Sequence, residues 1–121
     1  MARSEIVVLV VEDEPLVRMG IVDYLEDQGF SVLEAAEADE AVEILSGNSA
    51  VQILFTDVDM PGTMDGLKLA AAVRKRWPPV KIIVTSGHRK VGLLDLPTDA
   101  RFLPKPYNPD TVAALFRACE L

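Results

Sequence analysis

The sequence contains a single cysteine, Cys119, and a single histidine, His88. One cysteine excludes an internal disulfide and fits a reducing compartment. Cys119 falls near the end of an apolar helical pattern, where packing rather than reactivity is expected. With so few soft ligands a zinc cluster is excluded, and His88 reads as a loop residue. Basic residues are a minority, 12 Lys and Arg against 19 Asp and Glu, for a formal net charge of −7. Phosphate-backbone binding needs cations in excess, so nucleic acid is excluded as a direct partner. The apolar run near the N-terminus, "IVVLVV", is far too short to span a bilayer, and acids follow it at once. Neither a membrane association nor a secretory signal is expected, and the expected location is the cytoplasm. Repeats and low-complexity tracts are also missing. What remains is 121 residues, half of them hydrophobic, which suits one compact domain over 1–121.

Apolar runs alternate with helix-like stretches. Ile6 to Val11 is a continuous β-branched run, as in a strand buried on both faces. "SVLEA", "VQILFT", "VKIIVT" and a short "RFLP" read as four further strands. Between them, Val17, Ile21, Tyr24 and Leu25 share one helical face, with Met19 and Val22 off it, and Gly29 is a C-terminal stop. "DEAVEIL" forms a second helix ending at Gly47, and Leu67, Ala70, Ala71, Val73 and Trp77 form a third stripe, stopped by Pro78-Pro79. Asn108-Pro109-Asp110 starts a last helix. This alternation predicts an α/β fold with a parallel sheet and helices on both faces. It fails once. "SGHRKVGLLDLPTDA" has Gly92 inside and Pro97 near its end, so the helix expected there is short or missing, at most a turn around Val91 to Asp95.

The stretch "ILFTDVDMPG" ends a greasy run in two aspartates and a Pro-Gly break. Charge brought to the rim of a sheet costs desolvation energy unless something uses it. In open α/β sheets ligands bind beyond the carboxyl ends of the strands. Those ends carry Glu12-Asp13-Glu14, Asp57 with Asp59, Thr85-Ser86, and Lys105 just beyond "RFLP". Carboxylates gathered in one pocket need a cation, and hard oxygen ligands without His or Cys suit Mg²⁺. A lysine beside them supplies a point charge for phosphate. Carboxylate, divalent ion, hydroxyl and ammonium together describe phosphoryl transfer to an aspartate, with Asp57 as the nucleophile.

At these residues the sequence resembles the receiver domain of two-component response regulators, across essentially the whole chain. "VLVVEDE" is similar to the family's acidic pair, "FTDVDMPG" to its phosphoacceptor strand, "IIVTSG" to its hydroxyl position and "FLPKP" to its lysine. The resemblance implies a flavodoxin-like, doubly wound sheet of five strands in the order 2-1-3-4-5. It implies that Asp57 takes a phosphoryl group from a histidine kinase or histidine phosphotransfer protein. Mg²⁺ would be held by Asp13, Asp57 and the backbone carbonyl of Asp59, with Glu12 acting through water. Lys105 and Thr85 would bind phosphate oxygens, Thr85 and Phe102 would form the switch, and Lys105-Pro106 would be cis. Such a module catalyses its own phosphorylation and dephosphorylation only and signals to a downstream protein. Lys105 lies sixteen residues from the last residue, so no output domain is expected.

Two departures and two alternatives accompany this reading. The loop from Pro61 to Asp65-Gly66 is one residue longer than is commonest in the family, so its shape is expected to differ. Asp59 adds an acid near the pocket. Asp57-Val58-Asp59 also satisfies the Asp-x-Asp of haloacid dehalogenase-type phosphatases, which would leave Glu12 and Asp13 unexplained. The second alternative is a degenerate receiver that only binds partners, against which the intact Asp13, Asp57, Thr85 and Lys105 speak.

Overall fold

The structure, a computed structural model, describes residues 6–62, 64–87 and 96–119. The chain runs β1 (Val7–Val11), α1 (Pro15–Asp27), β2 (Ser31–Ala35), α2 (Ala38–Gly47), β3 (Ile53–Asp57), α3 (Gly66–Arg76), β4 (Lys81–Ser86), β5 (Arg101–Pro104) and α4 (Pro109–Ala118). All five strands are parallel, in the order β2-β1-β3-β4-β5. The expected fold class is therefore observed. The turn of helix expected around Val91 to Asp95 lies outside the described residues, as do His88 and Thr63.

The β-branched runs are continuous because each strand feeds two cores. Successive side chains in a strand point to opposite faces. Leu9, Val11, Leu54, Ile82 and Val84 meet α2 and α3 through Ala41, Leu45, Leu69, Ala70 and Val73. Val8, Val10, Ile53, Phe55 and Ile83 meet α1 and α4 through Ile21, Leu25, Val112 and Phe116. Phe116 is fully buried and packs edge-on against Phe30 and Phe55, with centroids 5.6 Å away in both cases. Truncating such a ring to alanine costs about 3–5 kcal/mol.

Helix ends follow their local chemistry. Asn108 Oδ1 accepts from the Asp110 N–H at 2.9 Å with Pro109 at the first helical position, and Asp65 Oδ1 accepts from the Lys68 N–H at 2.9 Å. Gly29 takes φ 96° after α1, the left-handed conformation that a glycine adopts at least cost. At the end of α3, Arg74 donates to the carbonyls of Pro78 (2.7 Å), Val80 (2.9 Å) and Thr98 (2.8 Å), binding the turn into β4 and the approach to β5 to one guanidinium.

Two helical faces are rotated from their sequence-based expectation. In α1 the buried residues are Ile21, Val22 and Leu25, whereas Val17 is 40% exposed. The inward row is 18, 21, 22 and 25, and its first place is taken by Arg18, whose charge hid the periodicity. Arg18 is satisfied there by the Glu12 carbonyl (2.7 Å) and Glu34 Oε1 (3.0 Å). In α3 the buried residues are Gly66, Leu69, Ala70 and Val73, and Ala71 is exposed. The cause is Gly66, where a Cβ would stand 1.9 Å from the Asp57 carbonyl oxygen. Only a glycine permits that approach, and it fixes the rotation of the helix.

Candidate functional site

The reversal of strand order falls between β1 and β3, and the crevice beyond their carboxyl ends holds the acids. Asp57, the last residue of β3, is 5% exposed, and Glu12, one residue past β1, is 4% exposed. Oxygens of Glu12, Asp13 and Asp57 lie within 4.8 Å of one another. Lys105, reached through β5, puts its Nζ 2.9 Å from Glu12 Oε1 and 3.2 Å from Asp57 Oδ2. Its backbone N–H donates to the Ser86 carbonyl at 3.1 Å, and the Lys105-Pro106 bond is cis. Gly87 leaves the lysine stem its place, since a Cβ there would be 3.2 Å from Lys105 Cβ.

Thr85 is paired in register with Asp57 across β3 and β4 and is 2% exposed. Its hydroxyl is buried and has no hydrogen-bond partner among the described residues. A buried hydroxyl without a partner is costly, and sites that await an acceptor are where such groups occur. Asp59 is half-buried, and its Oδ2 accepts from Ser86 Oγ at 2.9 Å. Its N–H makes a long contact of 3.4 Å to Asp57 Oδ1. Phe102 lies on β5 opposite Val84, half-buried on the α2/α3 side of the sheet beside Leu96 and Ala100. The sequence-predicted residues thus converge, with Phe102 set back from the acids, two strands away from Asp57.

The pocket sets three carboxylates, Glu12, Asp13 and Asp57, against the Lys105 ammonium. Burial raises the Glu12 carboxyl above its usual range despite the hydrogen bond from Lys105. Burial likewise raises Asp57, against the pull of the Lys105 ammonium. Lys105 is itself raised: burial works to lower it, and the hydrogen bond to Glu12 with the charge of Asp57 outweighs burial. All three groups hold protons more tightly than they would in water. One lysine does not neutralise this pocket. An all-oxygen acidic donor set with excess negative charge fits a hard divalent cation.

Sequence reasoning gave no role to three residues that build the pocket. Arg18 braces the Glu12 backbone, and its signal was the one charged residue in the 18-21-22-25 row. Ser86 fastens Asp59, and its signal was a second hydroxyl at the end of β4. Tyr107 packs edge-on against Phe55 at 5.5 Å, and burial followed by the Glu12 charge pushes its hydroxyl up to about 12. An aromatic two residues past the lysine was the available hint.

Comparison with known proteins decides the family: residues 8–117 match the response regulator receiver domain. The chain belongs to that family. Among curated relatives, the receiver domain is 45% identical over 105 residues to the sensor kinase CckA of Brucella abortus, covering 84% of this chain and 11% of that protein. It is 33% identical over 126 residues to a putative response regulator NtrX-like protein of Rickettsia felis, covering 98% of this chain and 26% of that one. The chain therefore spans only a small part of the length of these relatives. Among solved structures, the receiver domain of the hybrid histidine kinase CckA has a TM-score of 0.78 at 33% identity, covering 92% of this chain and 95% of that one. A response regulator receiver protein from Pseudomonas putida has a TM-score of 0.85 at 28% identity, covering 96% and 98%. The receiver domain is a signalling module of two-component systems, and the phosphatase reading of Asp57 and Asp59 falls with this assignment. Among the described residues, no helix is long and apolar enough to cross a membrane.

Proposed function

We propose that this receiver domain is a phosphoaccepting switch in which Asp57 takes a phosphoryl group from phosphohistidine on a histidine kinase or a histidine phosphotransfer protein. A carboxylate oxygen of Asp57 forms a bond to phosphorus as the bond from phosphorus to the histidine nitrogen breaks, and the nitrogen keeps the electron pair. The observation that carries this reading is the pairing around Asp57: a buried carboxylate with an ammonium at 3.2 Å and an unpartnered buried hydroxyl in register beside it. The hydroxyl is a donor that Asp57 does not satisfy, and the ammonium, paired with Glu12 and Asp57, stands beside it.

Asp13 and Asp57, with the backbone carbonyl of Asp59 and with Glu12 through water, would hold Mg²⁺. When bound, Mg²⁺ offsets the charge that gathers on the transferring group. Lys105 binds one phosphoryl oxygen. Thr85 turns its hydroxyl to another, which frees space for Phe102 to move inward and changes the outer surface on that side. The domain turns over no external substrate; its output is a contact with a downstream protein.

Partner docking is supported by the surface beside the pocket. Leu16 (76% exposed), Val17 and Met19 stand out on α1, and a groove of about 650 Å³ runs from Leu16, Val17 and Ile21 to Lys105, Pro106 and Tyr107. An exposed apolar patch adjoining a reactive carboxylate suits a partner that lays a helix along α1 and presents its phosphohistidine to Asp57.

Labelling with acetyl phosphate and Mg²⁺ tests the reading. The wild type should gain one phosphoryl group, and Asp57→Asn none. Undiminished labelling of Asp57→Asn would remove Asp57 from the role, and an unlabelled wild type would restore the binding-only receiver.

A further inference from the structure

Ser86 lies outside the acid cluster, yet it touches both arms of the pocket. Its side chain donates to Asp59 Oδ2 at 2.9 Å, and its carbonyl accepts the Lys105 N–H at 3.1 Å. It is 2% exposed, at the end of β4 next to Thr85. The loop from Val58 to Gly66 leaves β3 with Val58 still in the ladder, its N–H on the Thr85 carbonyl at 2.9 Å, and returns where the Gly66 N–H reaches the Val58 carbonyl at 2.9 Å. Between these anchors the contact of the Asp59 N–H to Asp57 is long, 3.4 Å. The charge-assisted bond from Ser86 to the Asp59 carboxylate is therefore a firm hold on the first residue of the loop that is free of the ladder.

We propose that Ser86 is a positioning residue, which latches the β3–α3 loop through Asp59 so that the pocket is preorganised for a divalent cation. The inference rests on the proposed metal-assisted function of this pocket and adds a residue that touches neither metal nor phosphate. Fixing the Asp59 side chain fixes the backbone that carries it, and that backbone borders Asp57. Without the hydroxyl, the Asp59 carboxylate must turn to water and takes the loop with it. The groups that support metal ligands from behind act in this way, by orienting what the metal touches.

A Mg²⁺ titration of the intact chain, followed by amide NMR shifts, tests the latch in four forms: wild type, Ser86→Ala, Asp59→Ala and the double variant. Ser86→Ala removes no charge, and it should weaken Mg²⁺ binding roughly tenfold, the low end for such supporting partners. In the Asp59→Ala background the same change should matter less than about twofold, since the latch is already gone. Ser86→Thr, which keeps the hydroxyl, should recover most of the affinity. Thermal melts separate this from general loosening, and the Ser86→Ala melt should stay close to wild type. Unchanged or tighter Mg²⁺ binding by Ser86→Ala overturns the proposal, as does an equal loss in both backgrounds. A wild type that binds no Mg²⁺ while remaining folded would instead overturn the reading of the pocket itself.

Discussion

Glu12 and Thr85 line the same pocket, and their bonding is opposite. Glu12 is saturated: Oε1 accepts from Lys105, Oε2 from the Glu14 N–H, and its carbonyl from Arg18. Thr85, equally buried, finds no partner for its hydroxyl among the described residues. The acid side of the pocket is held by charge pairs that already exist in the resting domain. The hydroxyl side carries a cost that only an incoming acceptor removes. A switch needs both, a side that stays put and a side that gains something by moving.

Breaking the saturated side should have the largest effect. Lys105→Met leaves Glu12 and Asp57 buried without their ammonium and should cost about 3 kcal/mol of stability at neutral pH. Urea unfolding with and without Mg²⁺ checks this, and added Mg²⁺ should return more stability to the variant than to the wild type. Next comes the hold on the far strand. Arg74→Ala removes the donors to the carbonyls of Pro78, Val80 and Thr98 and should cost about 2 kcal/mol, read as a lower melting temperature.

A smaller effect follows from pH. Glu12 and Asp57 are raised in the folded state, so the folded domain keeps protons that the unfolded chain has already released. Stability should then fall as pH climbs from the ordinary carboxylate range through the raised values. Lys105 works in the same direction in a higher window: its raised ammonium stabilises fully below the usual lysine range, and that share is lost only at strongly alkaline pH. Chemical denaturation from pH 4 to 7 should show the carboxyl slope, and saturating Mg²⁺ should flatten it. A metal-free slope of zero would mean that Lys105 fully compensates the acids.

The smallest change in stability is expected at the unsatisfied side. Thr85→Ala deletes a hydroxyl without a partner among the described residues and should leave stability within about 1 kcal/mol of wild type. Beryllofluoride, which supplies the missing acceptor at Asp57, should nonetheless bind this variant more weakly. Equal binding by both proteins would erase the contrast between Thr85 and Glu12.

Strand identity and the convergence of Asp57, Glu12, Asp13, Thr85 and Lys105 were legible in the sequence, because apolar runs that end in polar residues mark the strand ends of a parallel sheet; strand order came from the family resemblance. Helix rotation was less so. Arg18 occupies an inward slot of α1, and periodicity counts only apolar residues, so the face shifted on paper from Val22 to Val17. Gly66 acts through backbone contact and carries no hydropathic signal at all. The bonds of Ser86 and Tyr107 were hidden for a related reason, since short polar and aromatic groups acquire partners only once strands are in register. What the sequence showed were the ends of elements; what it concealed were side chains reaching across elements.

The outer strands of the sheet bear on how copies of this domain meet in a concentrated solution. Among the described residues, β2 and β5 each have one flank without a neighbouring strand. Open flanks invite strand-by-strand growth of sheets from one molecule to the next. β5 is four residues long, starts at an exposed Arg101 and ends at an exposed Pro104, which has no N–H to offer a newcomer. β2 carries the exposed Glu34, paired with Arg18, so an approaching strand meets an ion pair. Both borders are blunted. Extension of the sheet from either border is thereby disfavoured, which leaves helices and loops as the surfaces where contacts can be made and released.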